Sequence, residues 1–271
     1  GSWMYHLENN QVSIGFVVNL DYKNPYLSPY EEFQRFKLHP SIKKFFENGK
    51  RVSYGARAIN EGGLQSIPKL TFPGGCLIGC SAGFVNVPRI KGTHNAMKTG
   101  MLAAESAFKE ITINKENPSL IMREYETSWK KSSVWKDLWK VRNVKPGLKW
   151  GLFLGNVHAG INMWLNDLGL GFLLPYTLKH DKPDHLSLNK AKNSERIEYP
   201  KPDNKISFSR TDSVYLAATQ HDDNQPDHLV LNDEKTPIEL NLKEYDSPEQ
   251  RYCPAGVYEI IGKGINRSLQ I

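Results

Sequence analysis

The chain is poor in cysteine. Cys76, Cys80 and Cys253 are the three in 271 residues. Three thiols cannot all pair, and the count is far below a disulfide framework. Buried reduced thiols are the default, with a metal or cluster ligand as the sharper alternative. Gly1-Ser2-Trp3 lacks the basic stretch followed by an apolar one that marks a signal or transit peptide. No internal repeat is present. A strong charge of one sign is also missing: 35 Lys and Arg against 29 Asp and Glu give +6, with pI ≈ 9.0. That excess fits a plain surface imbalance, or an acidic partner or anionic membrane face; no nucleic-acid partner is implied. At 39% hydrophobic and 24% charged residues, the chain is long and apolar enough for one large or two modest folded domains.

Local signals give a mixed α+β pattern. Val12–Leu20, an apolar β-branched run, predicts a buried strand. Ser28 is placed to cap a helix with Pro29 at its first position and Glu31 and Glu32 in its first turn. That helix runs through Phe33 and Phe36 and ends before Pro40, with a second short one from Ile42 to Asn48. Arg51–Phe72 reads as strand and turn. Cys76–Gly79 reads as a short strand entering a small-residue loop, and Lys91-Gly92-Thr93 opens a helix to about Glu110. Ser119 is expected to cap a further helix through Tyr125 to Ser133, followed by another from Val134 to Val141. Lys179–Pro202 is polar and basic and reads as a linker, or a long connection between domains. After Ile206 the pattern suggests short strands between polar turns.

Gly147–Tyr176 is different: few charges, much Leu, Phe and Trp, and repeated Gly. Asn156, His158, Asn162, Asn166 and Asp167 interrupt it, so it is no clean membrane span. Two expectations stand side by side. One is a Gly-rich core hairpin. The other is an apolar surface dipping into one leaflet, with Trp150, Trp164 and Tyr176 at the interface.

The stretch with most chemistry is Phe72–Glu105, a strand, a small-residue loop and a helix start. A helix amino terminus offers unpaired N–H groups and partial positive charge, suited to an anion or carbonyl dipole such as the N1–C2=O edge of a reduced flavin. Gly79, Ser81, Ala82 and Gly83 would let backbone approach a cofactor closely. Tight turns around a packed helix would look the same.

Here the residues match a family. GCSAGFVNVPRIKGTHNAMKTGMLAAE, Tyr54–Gly75, Leu20–Lys37, Ile197–Phe208 and Pro248–Glu259 together resemble electron-transfer flavoprotein–ubiquinone oxidoreductase over nearly the whole chain, in order. The loop resembles the second flavin-contact segment of the large two-domain FAD enzymes, though their usual Gly-Asp is Gly79-Cys80 here. The resemblance implies an electron-transferring flavoprotein dehydrogenase. It would carry electrons from electron-transfer flavoprotein through FAD and a [4Fe-4S] cluster to ubiquinone, peripheral or monotopic on a mitochondrial inner or bacterial cytoplasmic membrane. No side chain suggests a general base, nucleophile or zinc site, which suits a protein whose cofactors do the chemistry.

Site residues follow from the same resemblance. Thr93 would face the flavin N1–O2 edge. Ser81, Gly83 and Gly92 would line the FAD site through backbone, with Asn60 a weaker contact. The family carries Gly-Gly-Ser-aromatic where this chain has Gly1-Ser2-Trp3, so Gly1 would be the second Gly of a pair bordering the quinone headgroup; a cloning scar is the alternative origin of Gly1-Ser2. Residues 147–176 would seat the protein on the membrane. Cys253 matches the first cluster cysteine, but no CxxCxxC continuation follows it, and the amino-terminal dinucleotide fingerprint, a GxGxxG after the first strand, is missing. The chain is therefore expected to be incomplete at both ends and inactive by itself.

The implied architecture is FAD-domain carboxy-terminal segments plus a quinone- and membrane-binding module, followed by a truncated ferredoxin-like domain. Its divisions would be 1–50 (quinone), 51–110 (FAD), 111–198 (helical, membrane-contacting) and 199–271 (cluster). Two rival functions are another FAD oxidoreductase of the superfamily, geranylgeranyl reductase-like or FixC-like, and an inactive membrane-binding remnant. The former lack the segment matching Pro248–Glu259.

Overall fold

A computed structural model describes residues 1–113, 121–226 and 229–271, with Ile265 described by its backbone alone. It forms two compact units: residues 1–56 with 182–271, and residues 57–181. Both combine helices with small two-stranded sheets, so the α+β class holds.

The first unit opens with an antiparallel ribbon, β1 (Ser2–Leu7) paired to β2 (Gln11–Phe16). Asn9 and Asn10 both take positive φ, 56° and 55°, the conformation a tight type I′ hairpin requires and Asn tolerates. The expected buried strand at Val12–Leu20 is thus a half-buried strand ending at Phe16. Only one ribbon face meets the body, where Phe16 packs on Phe36 and His6 on Phe45. The other face leaves Trp3, Tyr5 and Leu7 exposed, and a Cβ on Gly15 would overlap the Trp3 indole. Helix α1 (Pro29–Lys37) starts as expected, with Ser28 Oγ accepting from Glu31 N–H. The helix expected at Ile42–Asn48 is only one turn, α2 (Pro40–Lys43), followed by turns through Gly49.

Segments far apart in sequence complete this unit. Residues 182–202 are no free linker. The Asn189 N–H donates to Lys23 O (2.8 Å), Asn24 Nδ2 to Glu195 O (2.9 Å), and Tyr199 OH to Glu32 Oε1 (2.9 Å). Gln34 Oε1 accepts from Phe208 N–H (3.0 Å), and Tyr30 OH lies 2.6 Å from Ser213 Oγ. The strands expected after Ile206 are mostly helical: α8 (Arg210–Tyr215), a wide π-type turn over Thr236–Leu242 running into α9 (Lys243–Tyr245), and α10 (Glu249–Tyr252). Short apolar runs do not separate helix from strand by period alone. One hairpin does form, β5 (Glu259–Ile261) with β6 (Ser268–Gln270).

The second unit holds the main hydrophobic core. Arg57–Lys69 is irregular apart from one 3₁₀ turn at Leu64–Ser66, where strand was expected. Next come a minimal hairpin, β3 (Thr71–Phe72) and β4 (Gly75–Cys76), and the long helix α3 (Thr93–Ile113). Ser119 lies outside the described residues. The helix it was expected to cap, α4, spans Arg123–Lys131, and α5 spans Ser133–Val141 with Ser132 as its cap. Leu70, Phe84, Ala103, Tyr125, Trp129, Val134 and Leu138 form the core. Trp129 packs edge-on against Phe84, centroids 5.2 Å apart, and continues an aromatic row through Trp135 to Trp139. Two more helices follow, α6 (Val144–Gly147) and α7 (Leu152–Asp167).

Candidate functional site

In the second unit, the loop between β4 and α3 gathers most of the predicted flavin residues. Asn60 Nδ2 donates to Ser81 O (3.2 Å). A Cβ on Gly83, whose φ is +85°, would lie 3.5 Å from the Asn60 Cβ. The structure therefore brings Asn60, Ser81 and Gly83 together. Gly92 sits where a side chain would press on Cys80 Sγ (3.1 Å) and Val85 Cγ2 (3.3 Å). Thr93 is the exposed first residue of α3, whose first i→i−4 bond runs from Ala96 N–H to Gly92 O (2.8 Å). The N–H groups of the helix's first turn thus precede its own ladder.

Two polar ties fix this helix start. Gly79 N–H donates to the buried Thr99 Oγ1 (3.1 Å), whose hydroxyl donates to Asn95 O (2.8 Å). Asp137, from α5, accepts from Asn86 Nδ2 (2.9 Å) and Asn95 Nδ2 (3.3 Å) and lies 3.3 Å from His94 Nε2. Burial alone would push the Asp137 carboxyl up, but these hydrogen bonds outweigh it and hold it below the usual range. Sequence reasoning missed Asp137, which lies over 40 residues from its partners. A rigid loop of small residues beside an exposed helix start fits a flavin's anionic edge.

The 147–176 segment is helical over most of its length, not a hairpin. The inward face of α7 carries Gly155, Ala159 and Asn162, all buried, spaced i, i+4, i+7 along one side. Its outward positions include Leu152, Phe153, Leu154, Val157, Ile161 and Trp164, all exposed. A helix of a water-surrounded protein presents the opposite arrangement. Small residues are what allow the close contact: a Cβ on Gly155 would sit 2.9 Å from Gly147 O and Leu148 Cα. Beyond α7, Phe172, Leu173 and Tyr176 are also exposed. No helix among the described residues is long and apolar enough to cross a membrane.

Polar bonds hold this apolar segment in place. Arg142 is 2% exposed. It donates to Leu174 O (2.8 Å), Tyr176 O (3.1 Å), Thr177 Oγ1 (3.0 Å) and Trp139 O (2.7 Å). Burial lowers its affinity for the proton. Asn143 reaches Asn162 Oδ1 (3.2 Å) and Tyr176 O (3.1 Å), and accepts from Leu178 N–H (2.9 Å). His158 Nε2, whose pKa burial lowers, lies 3.0 Å from Tyr176 OH and 2.9 Å from Asn162 Nδ2. The small stripe at 155, 159 and 162 was the available sequence signal for this arrangement.

In the first unit, Gly1 extends the β1–β2 ladder: its amino group donates to Val17 O (2.8 Å) and its carbonyl accepts from Val17 N–H (2.7 Å). Cys253 is buried after α10. Its carbonyl accepts from Arg210 Nη1 (2.9 Å), and the positive φ of Gly256 (+68°) turns the chain beside the same arginine. A four-thiolate cluster does not fit the residues present. Cys253 is the one cysteine of its unit, and no group of metal ligands occurs among the described residues.

Two family models match: "ETF-QO, ubiquinone-binding" over residues 1–59, and "Electron transfer flavoprotein-ubiquinone oxidoreductase, 4Fe-4S" over residues 204–271. Similar curated proteins are the mitochondrial electron transfer flavoprotein-ubiquinone oxidoreductases of Mus musculus, 54% identical over 268 residues, and of Dictyostelium discoideum, 50% identical over 270. A third, from Caenorhabditis elegans, is 49% identical over 267 residues. In each case the match covers 96% of this chain and 43 to 44% of the relative, so the chain spans less than half the length of the curated relatives it matches. Two family models at its two ends and about 50% identity across its length carry one conclusion: the chain belongs to the electron transfer flavoprotein-ubiquinone oxidoreductase family.

Proposed function

We propose that the whole protein represented by this chain transfers electrons from reduced electron transfer flavoprotein to ubiquinone at a membrane face, mitochondrial as in the named relatives. The observation that carries the membrane part is the inside-out α7: small and polar residues turned inward, large apolar ones outward. A contiguous exposed apolar face of this kind marks a surface that meets lipid or another apolar phase. Trp150, Trp164 and Tyr176 would lie at the interface.

When bound, FAD supplies the redox chemistry. These residues would position it: Ser81, Gly83 and Gly92 by close backbone approach, Asn60 by bracing Ser81, and Thr93 with the first N–H groups of α3 by favouring negative charge at the flavin N1–O2 edge. Gly1 would border the quinone headgroup; its ladder to Val17 leaves a second carbonyl lone pair. Cys253 would be one cluster thiolate. Since this chain supplies one of four, no step through a cluster is assigned to its residues. The division into quinone (1–50), flavin (51–110), helical membrane-contacting (111–198) and ferredoxin-like (199–271) segments belongs to the same proposal.

The test uses the whole protein containing this segment, assayed for reduction of a short-chain ubiquinone by reduced electron transfer flavoprotein. Thr93→Val, at an exposed position, should lower the flavin reduction potential and slow quinone reduction while leaving the melting temperature unchanged. An unchanged potential removes Thr93 from the site. Absence of quinone reduction by the parent protein refutes the activity itself.

A further inference from the structure

A cleft in the first unit is independent of the electron-transfer proposal. It has a volume of about 690 Å³ and lies between the turn after α2 and the 203–208 loop, within the size range of small-ligand sites. Lys43, Lys50, Arg51 and Lys205 line it with the apolar walls Phe46 and Phe208; its two carboxylates are Glu47 and Asp203. Asp203 is engaged through one oxygen. Its Oδ1 accepts from the N–H groups of Lys205 (2.9 Å), Ile206 (2.8 Å) and Ser207 (2.9 Å), and from Ser207 Oγ (3.1 Å). Slight burial opposes its charge, but those bonds outweigh it and hold the carboxyl far below the usual range. None of the four cations makes an ion pair among the described residues.

Two deeper cations, Arg51 and Lys37, form no ion pair among the described residues. Arg51 stacks 3.9 Å over the Phe208 ring and donates to Ser213 Oγ (2.8 Å) and Asp212 O (3.2 Å), yet its Nε is buried with no partner. Lys37 is 8% exposed. Its ammonium faces the rings of Phe33 (5.2 Å) and Phe208 (5.1 Å) and bonds to no oxygen among the described residues. Burial, with the Arg51 charge added, pushes this amine down to about 8. Ring contacts and the Asp203 charge oppose that shift without cancelling it. A largely buried ammonium without a direct ion-pair partner is costly, and an anion in the cleft would relieve that cost.

We infer that this cleft binds an organic phosphate, its oxyanion held by the exposed Lys43, Lys50 and Lys205 above the half-buried Arg51. Three flexible ammonium groups suit a tetrahedral oxyanion better than a planar carboxylate, for which a free guanidinium fork is the usual partner; the Arg51 fork is engaged by Ser213 and Asp212. The volume and the two aromatic walls leave room for an apolar or sugar-like remainder. The same phosphate chemistry is offered by a soluble ester and by a phospholipid headgroup.

The full chain and its Lys43→Gln/Lys50→Gln/Lys205→Gln variant are titrated calorimetrically with sn-glycerol 3-phosphate at fixed ionic strength. In parallel both are floated with vesicles of phosphatidylcholine alone or mixed with phosphatidylglycerol. Expected is saturable one-site binding of the ester, weakened at least about tenfold in the variant, or a phosphatidylglycerol-dependent flotation that the variant loses. The first identifies a soluble ester as the source and the second a headgroup. Inorganic phosphate should compete on the unaltered chain where chloride of equal ionic strength does not. Equal competition by chloride, no binding in either assay, or unchanged binding by a variant that melts like the parent overturns the assignment.

Discussion

Replacing Leu152 and Phe153 by Ser tests whether α7 faces lipid. These side chains are 85% and 79% exposed, so the fold makes little use of them. Full burial of a Leu or Phe side chain is worth about 1.5–3 kcal/mol. Transfer of the exposed fractions into lipid therefore contributes roughly 1.2–2.5 kcal/mol each. Leu152→Ser/Phe153→Ser removes both contributions and adds two hydroxyls that lipid does not solvate. Partitioning to phosphatidylcholine vesicles, where net surface charge plays no part, should weaken by roughly 2.5–5 kcal/mol, at least about sixtyfold. Folding stability should move by no more than about 0.5 kcal/mol. The assay is vesicle flotation over a lipid titration, with thermal unfolding followed by circular dichroism alongside. Unchanged partitioning would show that another surface drives membrane contact. A fall of many degrees in melting temperature would show instead that the outward face is packed.

Further outcomes follow from the packing and the charges. Gly155→Val should destabilise by about 1–3 kcal/mol, because its Cβ would meet the Gly147 carbonyl and Leu148 backbone at 2.9 Å; an unchanged denaturant midpoint contradicts that contact. Leu138→Ala, at the centre of the second unit's core, should cost about 2–5 kcal/mol, read by urea unfolding. The depressed carboxyl of Asp137 gives stability that is present above the ordinary aspartate pKa and lost as pH falls through the lower, folded value. Asp137→Asn should therefore flatten the acid limb of the stability profile below about pH 4. Lys37 gives a slope of the same sign at higher pH. Its folded pKa of about 8 lies below the unfolded value, so the unfolded chain binds more protons between the two and stability rises from about pH 8 to about pH 10; Lys37→Met should remove that rise.

The sequence by itself determined the local punctuation and the kinship. Ser28-Pro29 with Glu31 and Glu32 set the start of α1, and Gly92-Thr93 set the start of α3, because capping and first-turn chemistry act over three or four residues. The segments resembling the flavoprotein family were legible for the same reason: they are contiguous strings. What tertiary structure decided was everything built from distant residues. The face of α7 turned outward depends on where α5, α6 and the 174–178 strap lie, and a Gly-rich apolar run looks alike in a core and at a membrane. The 182–202 stretch reads as a linker by composition, yet its hydrogen bonds to Lys23, Asn24 and Glu32 close the first unit across more than 160 residues. Asp137 at the start of α3, and the lysines of two remote loops around one cleft, are likewise products of folding. Backbone propensity is a short-range energy, whereas charge and burial depend on distances that only the folded chain sets.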